Sequence, residues 1–318
     1  MQVKTQKIIS LVLLALVVVL GFLALIYILN LNQPGLFWST ATYIWLYLML
    51  YIALVYDLHF KVEGSWARAT KKHENVVNVY RRQLKIFFSA LFNRVKHLLE
   101  FSFWRHWLNY LILPTLVFWA SAGVFYVNFG FYKIQQIAAL LSSIALMLNF
   151  WFLKEVFVRR KEVVDSDVFV ILSVVKIYAV TLVYAASLAI VRHYCLDPKY
   201  FSVGVFALTF LLIYQALFQH KLANLKNLSI GLCIGFVLGV AGYFLVIFWG
   251  YNYFTGAVFL AIFYNLLWGI FHYSLDRVLT FKVFIEIAAI GLLLAFMVFS
   301  VTNFKARLLD GCQYKISL

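Results

Sequence analysis

Charge, proline and cysteine are all scarce in this chain of 318 residues: 12% is Asp, Glu, Lys or Arg, and proline and cysteine number three each. A soluble domain carries about 25% charged residues, so the polar surface of an ordinary soluble enzyme is missing. Three cysteines are too few to staple a secreted module. The scarcity of charge and the abundance of apolar residues exclude a disordered chain. The sequence has no C-x-x-C, which removes a zinc ribbon and a dithiol redox motif. H-E-x-x-H, G-x-S-x-G, a Walker A loop and G-x-G-x-x-G are missing too, and the seven histidines do not cluster by spacing. No metal and no cofactor is therefore expected, and no catalytic residue is assigned.

Long apolar runs fill the chain instead, with 65% hydrophobic and 19% aromatic residues. A membrane helix needs about 20 mostly apolar residues. Nine stretches meet that need: Ile8–Leu29, Leu36–Tyr56, Trp107–Val127, Ile134–Leu153, Val168–Val191, Phe201–Gln219, Leu228–Trp249, Phe254–Ser274 and Val283–Thr302. They are continuously apolar, which excludes the alternating strands of a β-barrel. The expectation is an all-α, polytopic transmembrane helix bundle, one integral membrane domain over residues 1–318. Lys4 and Lys7 precede a first run too long for a secretory signal core, so it reads as an uncleaved signal anchor. Trp38, Trp45, Trp104, Trp107, Trp249 and Tyr251 fall mainly near span ends, as interfacial anchors do.

The net charge of +15 has a topological meaning. With the N-terminus cytoplasmic and the C-terminus outside, 20 Lys and Arg fall in inner segments and 6 in outer ones, with Lys176 inside a span. That bias follows the positive-inside rule and suits anionic headgroups at the cytoplasmic face. Nucleic acid is not needed to explain it. The location expected is a cell membrane, plasma or bacterial inner.

One connection is long. Residues 57–106 form a basic cytoplasmic loop whose stretch from about 75 to 100 repeats apolar residues at three- and four-residue steps. Val77, Tyr80, Leu84, Phe87, Phe88, Leu91, Val95 and Leu98 share one face of a helix, and Arg82, Lys85, Asn93, Lys96 and Glu100 lie on the other. Arg81, Arg82, Lys85, Arg94 and Lys96 are the candidate contacts to lipid headgroups or a membrane protein partner. Packing onto the inner ends of the chain's own bundle uses the same stripe.

Inside the spans, ionisable groups are costly and carry a functional hypothesis by default. Lys176 in the fifth span and Glu286 in the ninth both lie in the inner half of the bilayer, which suggests an intramembrane charged pair. Its functional version is a relay for a proton or substrate. Its plainer versions are a structural pair, or a lysine that snorkels to the inner headgroups. Gly231, Gly235, Gly239 and Gly242 of the seventh span line one flank and predict close helix packing. Cys195 and Cys312 both fall outside, so a disulfide between them is open, while Cys233 reads as a small residue within a span. Pro114 predicts a kink in the third span.

The leading reading is a non-enzymatic structural or partner-binding membrane component. A transporter or channel for a small or apolar solute is the alternative, using the Lys176–Glu286 region. An enzyme acting on lipid at the inner face comes third, on the shared side of Asp57, His59, His220, His272, Asp276 and Glu286.

Overall fold

A computed structural model describes residues 2–50, 101–158, 166–219, 222–249, 252–275 and 278–302, with Arg81, Leu84, Lys85, Phe88, Ser89, Leu91, Phe92, Asn93 and Lys96. At 2–13, 101–110, 152–158 and 166–170 the description is of helical backbone alone. Among the described residues there are nine long helices and no strand: α1 (Gln2–Asn30), α2 (Pro34–Leu50), α3 (Phe101–Val127), α4 (Tyr132–Val158), α5 (Ser166–His193), α6 (Pro198–Gln219), α7 (Leu225–Phe248), α8 (Tyr253–Leu275) and α9 (Phe281–Val301). Each coincides with one of the nine apolar stretches. The boundaries differ because helical hydrogen bonding does not stop where the apolar run does: α3 starts before Trp107 and α4 continues past Leu153.

Six helices, α4 to α9, contain stretches of 20–24 residues that are long and apolar enough to cross a membrane. Leu14–Asn30 of α1 and Leu111–Val127 of α3 are shorter apolar helices, and α2 has 17 residues. The protein is thus all-α and, by helix length and composition, multi-pass in a membrane.

Local chemistry sets the helix ends. Asn224 caps α7, its side chain accepting from the Asn227 N–H at 2.8 Å, and Thr280 caps α9 by accepting from the Val283 N–H at 3.3 Å. Asn252 does the same before α8, taking the N–H groups of Phe254 at 3.1 Å and Thr255 at 3.3 Å. These are the residue types whose short polar side chains satisfy the orphan donors of a first turn. Pro198 opens α6 where its missing N–H costs nothing. Asn32, Gly130 and Cys195 turn the chain with φ of 57°, 83° and 50°. Pro114 lies inside α3 without ending it.

The chain divides into two compact units, residues 1–115 with 146–172, and residues 116–145 with 173–318, the divisions falling inside α3, α4 and α5. In the first unit α1 packs on α2. The missing side chain of Gly21 admits Ile44, whose Cγ2 would lie 3.4 Å from an added Cβ. Phe22, Leu25, Phe37, Ala41 and Leu48 are buried there. Trp45 Nε1 donates to Thr115 Oγ1 at 3.2 Å, and that hydroxyl lies 3.4 Å from Met49 Sδ.

In the second unit the pairs α6–α7, α8–α9 and α7–α8 pack together, α6–α7 most extensively. Tyr184, Tyr264, Phe118 and Phe125 are its largest fully buried side chains. Arg192 at the end of α5 donates to the carbonyls of Trp249 at 2.8 Å and Val246 at 3.5 Å, and so satisfies the last turn of α7.

Candidate functional site

Among the described residues, the charged side chain buried inside the second unit is Lys176. It sits in the middle of α5 with 9% of its surface exposed, and its Nζ stands 5.8 Å from the centroid of Trp268 on α8. This is within the range of a cation–π contact, where the negative face of the indole attracts the ammonium. Trp268 in turn meets Phe271 edge-on at 5.9 Å and His272 at 5.6 Å. Trp268, Phe271 and His272 follow Tyr264 by four, seven and eight residues, offsets that keep residues on one broad helix face. Leu188 of α5 lies against Gly256 of α8, 3.1 Å from the position a Cβ would take. Lys176 against Trp268 and Leu188 against Gly256 are each twelve residues apart, which fixes α5 and α8 as antiparallel neighbours.

Lys176 and Glu286 are not brought together as an ion pair. The Glu286 side chain is 58% exposed on α9, and its carboxylate lies 4.0 Å from the Lys282 ammonium one turn back. α9 places Lys282 and Glu286 on one face, so the nearer neighbour takes the carboxylate. The buried lysine faces an aromatic ring. Trp268 and Tyr264 were not among the residues that the sequence singled out, since aromatics abound in every span. Their spacing on α8 was the available signal.

Polar side chains elsewhere in this unit are committed to holding helices together. Ser121 of α3 donates to the Val117 carbonyl at 2.6 Å, its oxygen lies 2.7 Å from the Ser142 hydroxyl of α4, and the Ser142 and Tyr178 hydroxyls are 2.8 Å apart. Tyr184 of α5 meets Thr209 of α6 at 3.1 Å. Tyr253 donates to Asn128 at 2.8 Å, and the Tyr126 and Tyr194 hydroxyls are 2.7 Å apart. Gln135 donates to the Phe125 carbonyl at 3.1 Å. The hydroxyl of Tyr264 is different: it is buried and has no hydrogen-bond partner.

The four glycines of α7 all face α6. An added Cβ at Gly231 would meet Ile213 at 2.9 Å, at Gly235 the Phe206 ring and carbonyl at 3.3 Å, at Gly239 the Ser202 carbonyl at 3.1 Å, and at Gly242 Phe201 and Val205 at 3.3 Å. Ser202 Oγ also donates to the Gly239 carbonyl at 2.8 Å. The seam is a packing surface between neighbours in one chain.

Cys195 is disulfide-bonded, Cys233 carries a free thiol, and Cys312 lies outside the described residues. Within the expected amphipathic stretch, the described residues Arg81, Leu84, Lys85, Phe88, Ser89, Leu91, Phe92, Asn93 and Lys96 are helical. Leu84, Phe88 and Phe92 are 55%, 61% and 73% exposed, and Arg81, Lys85 and Lys96 are exposed beside them. Arg82 and Arg94 lie outside the described residues, as do Asp57, His59, His220 and Asp276. Among the described residues no group of three His, Cys, Asp or Glu side chains is placed to hold a metal. Compared with known proteins, the chain matches no family model, no curated protein and no solved structure.

Proposed function

We propose that the chain is a non-enzymatic, multi-pass component of a cell membrane, plasma or bacterial inner. Its nine helices cross the bilayer with the N-terminus cytoplasmic and the C-terminus outside. Its basic inner helix rests on anionic headgroups. The observation that carries this reading is the set of described helical residues between 81 and 96, of which Leu84, Phe88 and Phe92 are exposed together with Arg81, Lys85 and Lys96. An exposed apolar stripe beside a row of cations matches the two sides of an interfacial helix, acyl chains below and anionic headgroups around. The oxidised state of Cys195 supports placing the α5–α6 connection outside, where disulfides persist, and pairing it with Cys312 is part of the proposal.

Depth measurement tests the reading. A spin label at Phe88→Cys, in a Cys233→Ser background, is expected at the headgroup–acyl boundary of vesicles containing phosphatidylserine. Reversing Arg81, Lys85 and Lys96 to Glu removes attraction of about 1 kcal/mol per cation and should lift the label into water. A label that stays in water without the reversals, or whose depth ignores them, overturns the surface helix. A second reading, a carrier or channel for a small solute, draws on the burial of Lys176 and is tested by uptake into proteoliposomes.

A further inference from the structure

We propose that α8 carries a surface for a second copy of this chain, centred on Asn265. There the carboxamides of two copies hydrogen-bond to each other across a twofold axis along the membrane normal. Two observations point to it. First, Asn265 has twelve residues of α8 before it and ten after. That places it ~15 Å or more from either helix end and, with α8 across a bilayer, deep in the hydrocarbon. Its side chain is nonetheless exposed and makes no hydrogen bond among the described residues. Other polar side chains on these helices turn back onto their own backbone. Asn30 and Asn128 donate to the carbonyls of Ile26 and Val124, both at 2.8 Å. Exposed Ser39 and Ser229 donate to those of Gly35 at 3.0 Å and Leu225 at 2.9 Å. Second, Gly269 lies one turn further along the same face of α8, and an added Cβ there would meet only Ile287 Cγ2, at 3.9 Å. The α7 glycines Gly231, Gly235, Gly239 and Gly242, and Gly256 of α8, each have an atom of their own chain within 3.3 Å of that position. At Gly269 the backbone is open to an incoming helix.

Lipid tails offer an amide neither a donor nor an acceptor, so an amide on the outer surface of a bundle finds its partner on another helix. A carboxamide holds both a donor and an acceptor. Two of them related by a twofold axis therefore satisfy each other in two reciprocal bonds. A second copy also meets the depth requirement without adjustment, because identical chains insert the same way and hold Asn265 at the same level. A helix of another protein would have to bring its own polar side chain to that level. Ile262 before Asn265 and Gly269 after it are half-exposed, which makes the amide the polar centre of an otherwise apolar contact. A single asparagine in such a place fixes the register and number of paired helices. This surface requires α8 to cross the membrane and is independent of the amphipathic stretch between 81 and 96.

The test uses the full-length protein reconstituted into phosphatidylcholine vesicles. An alkaline wash comes first: protein that it releases overturns the membrane reading itself, and the dimer with it. On retained protein, energy transfer between copies labelled at the N-terminus with donor or acceptor is followed as the protein-to-lipid ratio is varied. A two-body association isotherm is expected. Asn265→Leu should weaken it roughly tenfold, the effect of losing two interhelical hydrogen bonds. Asn265→Gln keeps both donor and acceptor and should recover most of the loss. In a Cys233→Ser background, copper phenanthroline should oxidise Asn265→Cys to a disulfide-linked dimer. Phe244→Cys, on the exposed face of α7, should stay monomeric under the same oxidant. Retained protein that is monomeric at every ratio, or an Asn265→Leu variant with the wild-type isotherm, overturns the dimer surface and leaves the membrane reading standing. Cross-linking through Phe244→Cys in place of Asn265→Cys moves the contact to α7 and overturns it too. Because Asn265 is exposed, the leucine variant should keep the thermal midpoint of the monomer; a large fall reveals a partner within the chain and sinks the proposal.

Discussion

α7 and α9 have the same mean hydropathy over their membrane windows, yet 39% of the α7 window is buried and only 6% of the α9 window. The difference lies in the small residues. On α7 a glycine returns every three or four residues and lets the α6 backbone approach until the Ser202 carbonyl lies 3.1 Å from where a Gly239 Cβ would be. On α9 the one buried residue is Gly291, which receives the tip of Leu266 from α8. Around it Ile290, Leu292, Leu293, Phe296 and Met297 point outward. In a bilayer the lipid tails are as apolar as leucine, so hydropathy records the solvent and says nothing about the neighbour. Close packing is what chooses a neighbour, and small side chains permit it.

The sharpest way to break this comparison is to fill the α7 seam. Gly239→Leu has no space to enter, because the Ser202 carbonyl and the Phe206 Cβ at 3.2 Å belong to the α6 backbone or sit directly on it. The seam must separate, and the Ser202–Gly239 hydrogen bond at 2.8 Å goes with it. The expected loss is about 3 kcal/mol or more, the upper range for overpacking a filled interior. It would be read as a large drop in thermal midpoint of the monodisperse protein. A variant that stays folded and merely changes oligomeric state would instead assign the glycine stripe to a contact between copies.

Gly291→Ala probes the same chemistry on the loosely packed side. The added methyl overlaps Leu266 Cδ1, but that atom is the free end of a side chain. Leu266 can change rotamer toward the lipid, so the cost should be about 1 kcal/mol. A loss as large as that of Gly239→Leu would mean that α9 is held far more tightly than its exposure indicates.

The helices themselves were legible in the sequence, because each needs only an unbroken apolar run and helix-compatible ends. The glycine spacing on α7 was an equally local signal. What stayed hidden was every partner that lies far along the chain. Trp268 is 92 residues from Lys176, and nothing local distinguishes it from the other eight tryptophans. Shared depth suggested Glu286 as the partner of Lys176, since depth can be counted from a helix start. Azimuth cannot be counted that way until the neighbouring helix is known. Arg192 was counted as an outer charge, and its bond to the end of α7 depends on a loop closure that no periodicity records.

Glu286→Gln is expected to have the smallest effect, and it separates two accounts of the charges. Its carboxylate is 4.0 Å from Lys282, and the side chains are 58% and 86% exposed. The pair also runs in the weaker order, with lysine N-terminal to glutamate, so that the cation sits nearest the positive end of the helix. Such a pair is worth between zero and about 0.5 kcal/mol, and the thermal midpoint of Glu286→Gln should match that of wild type within error. Were Glu286 instead the partner of Lys176 inside the bilayer, neutralising it would strand a buried ammonium and cost about 3–5 kcal/mol. A double variant with Lys176→Met makes the distinction independent of the absolute values. If the two residues are uncoupled, their effects add to within about 0.5 kcal/mol. If they form a pair, the second substitution costs far less once the first is in place.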